Sequence, residues 1–424
     1  MLRWPPRYNR GMNAICLVLD RLHVGYLGPL GNTWIDTPSF NRLAAEGCVF
    51  DQAWIDSPAL EDLCNGVWLG LHPRQPVPEP VQPIAAQLAP RGVHSALITD
   101  EPAVARHPLA SSFTSCWELE SPTQRIPAHQ MEDTHLARCF ARLLECLDGL
   151  PQPFLAWCHL RALGAPWDAP EAFRQAYRQE GDPAPLATAE VPCRTLPRDF
   201  DPDEVLPITQ AYAGQVTLLD QCVGGLLEWL GGRLGSETLL VVLSARGVPL
   251  GEHRQVGPGL DTLHAEVTHV PILVRLPGAA EAAGRTSAIV HPADVAATLL
   301  DFFGVPDVPL ASARSLLPLI RGEADSLRDR HLIVADAAQA APADGPSAPA
   351  PGPRALVTPA WYYYAADRPE LYVLPDDFWQ ANDVADRCPE IVALLDEALR
   401  QCEAGLAAGQ TELPPLDPLL LEPP

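Results

Sequence analysis

The sequence predicts an α/β fold, with a mostly parallel central sheet flanked by helices and a small C-terminal subdomain of antiparallel sheet plus helix. Three observations carry this reading. Short aliphatic runs alternate with longer helical patterns, as in strands joined by crossover helices. The clearest runs, "TLLVVLS" and "PILVRLP", are apolar almost throughout, as strands buried on both faces are. The 424 residues are 47% hydrophobic, enough for a large core with an appendage.

Taken in order, strands are expected at 14–19, 94–98, 153–158, 238–243 and 271–275, and helices at 38–47, 60–70, 132–147, 207–231 and 292–303. The first strand, "NAICLVLD", is too short to span a bilayer and ends in an acid. Ser57-Pro58 closes a short apolar segment, after which Glu61 and Asp62 open a helix that ends at Gly70. Those two acids are expected to cap the helix start. Residues 179–205, rich in Pro, Asp and Glu, form an excursion, and 337–353 is low-complexity Ala/Pro. "RALVTPAWYYYAA" and "ELYVLP" pair as strands, and 389–405 is a terminal helix. The organisation is therefore an α/β domain over 13–330, an Ala/Pro-rich loop over 331–355 and a C-terminal subdomain over 356–405.

Composition narrows function. A net charge of −24 argues against nucleic acid and anionic membranes, which need clustered Lys and Arg. The 11 cysteines lack CxxC pairs and zinc-type spacing, so reduced, core-filling thiols are expected, notably at Cys16, Cys48, Cys158 and Cys222. With no signal-type or transmembrane segment in view, the expected location is cytoplasmic.

In open parallel sheets ligands sit beyond the carboxyl ends of the strands. Asp20-Arg21, His159 onward and Ser244 to Gly247 occupy such positions. The order of landmarks resembles the sulfatase family of the alkaline phosphatase-like superfamily. It runs from "LVLDRLHVGYLGPLGNTWIDTPSFNRLAAEGCVFDQAW" through "SPALEDLCNGVWLGLHP", "FLAWCHLRALGAPWDAP", "YAGQVTLLDQCVGGLLEWL" and "TLLVVLSARGVPLGEH" to "RPELYVLPDDFWQANDVA". The resemblance covers roughly residues 13 to 400. It implies an alkaline phosphatase-like α/β domain, a formylglycine nucleophile made from Cys or Ser, and a Ca²⁺ site.

The matched positions depart from that chemistry. The nucleophile position falls on Leu60, which has no heteroatom, and the motif's Arg falls on Cys64. Cys64 does not serve as a shifted nucleophile, because its distance to Gly70 is too short and the Arg position would then fall on Trp68. Of the four implied metal ligands only Asp20 remains, with Arg21, Ala245 and Arg246 at the others. Neither calcium nor formylglycine is therefore expected, and no cofactor is predicted. His159 matches the family's first His and is expected to keep a structural hydrogen-bonding role, while the second His position reads Gly164. The implied Lys reads Leu260, and His253 is a loop His of either surface or site use.

Arg21 and Arg246 either replace the lost cation beside Asp20 or point to solvent. With His159 they are the candidate residues for binding a small anion, or a sulfated or phosphorylated small molecule. Three functions stay open: a sulfatase-like protein without catalysis, a sulfate- or phosphate-ester hydrolase with rebuilt chemistry around Ser57, and an anion-binding or partner subunit. The first is favoured, because nucleophile, Arg, metal ligands and helpers are lost together.

Overall fold

The structure, a computed structural model, describes residues 11–77, 79–80, 82–259, 262–305, 313–327, 332–335, 352–410 and 412–422. The chain opens with β1 (Asn13–Asp20), α1 (Pro38–Glu46), β2 (Cys48–Ala53) and α2 (Leu60–Leu69). Then come α3 (Ile84–Leu88), β3 (His94–Thr99), α4 (Pro102–Ala105), β4 (Ser115–Glu118), α5 (His135–Asp148) and β5 (Phe154–Leu160). The middle holds α6 (Glu171–Gln175), β6 (Arg194–Thr195), α7 (Leu206–Arg233), β7 (Thr238–Arg246), β8 (Gln255–Val256) and α8 (Ala265–Thr268). Next are β9 (Ile272–Arg275), β10 (Gly284–Val290), α9 (Asp294–Phe302) and α10 (Leu317–Ile320). The C-terminal part has β11 (Leu332–Ala335), β12 (Arg354–Val357), β13 (Trp361–Ala365), β14 (Glu370–Val373) and α11 (Pro389–Ala407).

The main sheet has the order β10-β2-β9-β7-β1-β5-β3-β4. Strands β7, β1, β5, β3 and β4 run parallel, and β9 is antiparallel to both β7 and β2. Every residue of β1 is buried, which explains its unbroken apolar run. On one face, Ile15, Leu17 and Leu19 share a core with Phe40 and Leu43 of α1, Phe140 and Leu143 of α5, and Val216 and Leu219 of α7. The helix expected from 132 begins at His135, where Thr134 caps it by accepting from Ala137 N.

The residues form two compact units that cut across the expected boundary at 330. One is Met1–Asp51, Ala85–Leu260 and Val270–Thr286; the other is Gln52–Ile84, Asp261–His269 and Ser287–Pro424. The chain passes between them several times, so no single break in sequence separates them.

The second unit contains an antiparallel sheet ordered β11-β12-β13-β14. Leu356, Trp361, Tyr363 and Leu371 pack with Leu395, Leu399, Cys402 and Leu406 of α11. Tyr362 and Tyr364, one step out of phase, join Ala355, Val357 and Trp54 in a separate cluster, as period-2 alternation requires. Strand β11 falls inside the segment expected to be a loop; residues 336–351 of that segment lie outside the described residues. No helix among the described residues is long and apolar enough to cross a membrane.

Candidate functional site

Strands β1 and β7 end side by side, although they are distant in sequence. Their register holds to Leu19↔Ser244 and then shifts, so that Asp20 stands opposite Arg246 rather than Ala245. Ser244 holds this bulge. Its Oγ lies 2.8 Å from both Leu19 O and Arg246 O, and it accepts from Leu22 N at 3.2 Å.

The shift brings a guanidinium onto a carboxylate. Arg246 Nε donates to Asp20 Oδ1 at 2.9 Å and Nη2 donates to Oδ2 at 3.1 Å, a two-pronged, charge-assisted pair. Arg21 Nε lies 4.0 Å from Asp20 Oδ1, and its Nη1 donates to Gly247 O at 3.2 Å. Burial pushes the Asp20 carboxyl up, but Arg246 and then Arg21 outweigh it and hold the group below its ordinary value. Burial also lowers Arg21, to about 10, partly offset by Asp20, so it stays cationic at neutral pH.

Arg21 adopts φ 64°, a conformation costly for a residue with a Cβ. The Tyr212 hydroxyl, from α7, donates to Arg21 O at 2.7 Å and accepts from His23 N at 2.8 Å, which pins the turn. Neither Tyr212 nor Ser244 was singled out from sequence as a turn-fixing residue.

His159 is fully buried on β5, and neither ring nitrogen has a hydrogen-bond partner. The expected structural hydrogen bond is therefore corrected. Burial lowers the imidazole to about 4, against the opposing pull of Asp20 and then Asp100, so the ring is neutral at pH 7. Gly164 lies close to the ion pair: a Cβ placed there would sit 3.4 Å from Asp20 Oδ2 and 3.6 Å from Arg21 Cγ.

This donor set does not fit the family's divalent cation. Such an ion needs several oxygen ligands. Both Asp20 oxygens already accept from Arg246, Ala245 offers no side-chain ligand atom, and two guanidiniums flank the position. A cation there would face positive charge.

The second unit carries the helix α2 turn. Leu60 opens α2 half-buried, and its N-cap residue Ala59 makes no side-chain cap. Glu61 and Asp62 stand in the first turn of α2, where the macrodipole favours acids, but no side-chain cap hydrogen bond forms. Glu61 is exposed, and Asp62 Oδ2 instead accepts from Ser57 Oγ at 2.6 Å. Ser57 Oγ in turn accepts from Ala59 N at 3.2 Å, an intraloop bond that competes with helix capping. Burial raises the Asp62 carboxyl, with the Ser57 bond partly offsetting it. Cys64 is buried and its thiol is pushed up to about 12 by burial and then Glu61, leaving no thiolate at neutral pH. In the same unit His291 Nδ1 lies 2.6 Å from Asp56 Oδ2.

His253 has φ 47° and sits half-buried in its loop, whereas Leu260 lies outside the described residues.

Comparison with known proteins gives a consistent picture. The sulfatase family model matches residues 12–305. The chain is 29% identical over 165 residues to N-acetylglucosamine-6-O-sulfatase of Bacteroides thetaiotaomicron, covering 38% of this chain and 27% of that protein. It is 24% identical over 223 residues to the multifunctional alkaline phosphatase superfamily protein PehA of Trinickia caryophylli, covering 46% of this chain and 42% of that one. The chain thus spans between about a quarter and two fifths of the length of these curated relatives. In fold it is similar to the phosphonate monoester hydrolase of Agrobacterium radiobacter, with TM-score 0.73, 17% identity, and coverage of 93% of this chain and 96% of that one.

Proposed function

The chain belongs to the sulfatase family, and from that premise we propose that it no longer hydrolyses sulfate esters by the formylglycine- and metal-dependent route and instead binds a small oxyanion. The ligand is sulfate, phosphate or a small molecule carrying either, held by Arg21 and Arg246 beside His159. One observation carries this reading: two guanidiniums, those of Arg21 and Arg246, converge on the carboxylate of Asp20 in a largely buried place. A tetrahedral oxyanion offers acceptor oxygens that match the guanidinium fork. His159, neutral at pH 7, offers a donor nitrogen without adding charge. The proposed location is the cytoplasm, supported by eleven cysteines that are all free thiols. Nucleic acid and membranes are not among the proposed partners.

The test is a thermal-shift titration with sulfate and phosphate alongside an aryl sulfate assay. Saturable stabilisation lost in Arg21→Ala, without turnover, supports the reading. Turnover by the wild-type chain that Asp20→Ala abolishes overturns it.

A second reading, a hydrolase with rebuilt chemistry, is favoured by one contact. The Ser57 hydroxyl donates to Asp62 at 2.6 Å, the arrangement of a nucleophile beside a base. Phosphate- or sulfate-ester hydrolysis that Ser57→Ala removes would establish it.

A further inference from the structure

Three side chains of ligand type meet at the start of α5. His135 and Cys139 stand one helical turn apart on the same face. Asp100, directly after β3, meets them there, and all three residues are buried. His135 Nε2 lies 2.8 Å from Asp100 Oδ2, Cys139 Sγ lies 3.3 Å from His135 Nε2, and Sγ lies 3.8 Å from Oδ2.

The arrangement is not that of a nucleophilic relay. In a Cys-His-Asp relay the thiol and the carboxylate occupy opposite ring nitrogens, one receiving the proton and the other orienting the ring. Here both converge on Nε2. Convergence of S, N and O on one point is how ligands surround an ion. A tetrahedral zinc, with Zn–S of about 2.3 Å and Zn–N and Zn–O of about 2.0–2.2 Å, needs ligand–ligand edges of roughly 3.4–3.6 Å. Widening the Asp100–His135 contact by about half an ångström supplies this triangle.

We propose that Asp100, His135 and Cys139 bind one zinc ion, with water in the fourth position. The ligand set selects the metal. A thiolate with an imidazole and one carboxylate suits borderline-soft Zn²⁺ and not Ca²⁺ or Mg²⁺, which take oxygen. The charges balance, because a thiolate and a carboxylate neutralise a divalent ion in a place where net charge would be costly. The ligands are also held in position from outside. Asp100 Oδ1 accepts from Arg161 N at 2.8 Å, and His135 N donates to Asp168 Oδ2 at 2.6 Å. Zinc takes the thiolate as ligand, so its binding displaces the thiol proton to solvent as the Zn–S bond forms.

The experiment uses the full chain freed of metal by a chelator and titrated with Zn²⁺, then with Co²⁺ as a spectroscopic probe. One equivalent of zinc is expected to bind and raise the melting temperature, with proton release detectable by an indicator dye. Cobalt should give a thiolate-to-metal charge-transfer band. Cys139→Ser should abolish that band and weaken zinc binding by at least the about 10–100-fold typical of losing a mere outer-shell partner. His135→Gln should weaken binding likewise. Circular dichroism checks that each variant is folded, and the wild-type cobalt spectrum reads the site without any variant. Absence of the charge-transfer band in the wild-type chain, or zinc binding unchanged by Cys139→Ser, would overturn the proposal.

Discussion

Arg246 grips Asp20 through both carboxylate oxygens, at 2.9 and 3.1 Å, across 226 residues of sequence. The pair sits where the family implies a metal, and its geometry makes the carboxylate and the guanidinium each other's partner. Asp20→Ala would remove the carboxylate that both guanidiniums face. Breaking a buried pair from one side costs about 3–5 kcal/mol. Because Arg246 keeps 17% side-chain exposure, the lower end of that range, about 3 kcal/mol, is expected. Urea unfolding measures it directly, and a loss below about 1 kcal/mol, the range of surface pairs, would mean that the fork contributes no more than they do.

His159 predicts a pH dependence. Its native imidazole is lowered to about 4, whereas an unfolded His titrates near 6.5. Between those values the unfolded chain binds the extra proton, so stability is complete above about pH 6.5 and falls as pH drops toward 4. From pH 7 to pH 5 the expected loss is about 2 kcal/mol. In His159→Leu that slope should flatten in the same window. Asp20, held below its ordinary value, acts in a separate window: its contribution is present above the unfolded carboxyl value and disappears only as pH falls through the lower native one. A wild-type chain equally stable at pH 7 and pH 5 would contradict the buried, neutral ring.

Calcium or magnesium at millimolar concentration should leave the melting temperature unchanged. An ion bound to the native state alone would add about 2.7 kcal/mol at a hundredfold excess over its dissociation constant. A shift of several degrees that Asp20→Ala removes would show that the arginine pair yields to a metal after all.

Leu60→Cys, co-expressed with the formylglycine-generating enzyme, should still not hydrolyse an aryl sulfate. The motif's Arg position remains Cys64, a buried protonated thiol, and the metal position remains an ion pair. Measurable hydrolysis by that single variant would show that the missing nucleophile alone had silenced the site.

Much of this protein was legible in its sequence. Local patterning determined the main elements, because an apolar run buried on both faces reads as a strand and a Ser-Pro break followed by acids reads as a helix start. The end of β1 at Asp20 followed from that, as did the absence of side-chain ligand atoms at Leu60 and Ala245, whereas β7, expected over 238–243, runs on to Arg246. Tertiary structure decided what the surviving polar groups do. Whether Arg246 met Asp20 or solvent depended on a one-residue shift in the β1–β7 register, which is set by inter-strand hydrogen bonds. His159 was left without a hydrogen bond because its strand places it inside the sheet's packing, where burial outweighs polarity. Asp62 turned to Ser57 instead of capping α2, a choice between two acceptor geometries that spacing does not distinguish. The meeting of Asp100 with His135 and Cys139 required β3 and α5 to be packed first. The i,i+4 pair was visible in the helix, but its third member comes from a strand end 35 residues earlier than His135, and only folding places the two together. Sequence sets local periodicity and the supply of chemical groups. The pairing of distant groups is set by strand register and helix packing, which are properties of the whole chain.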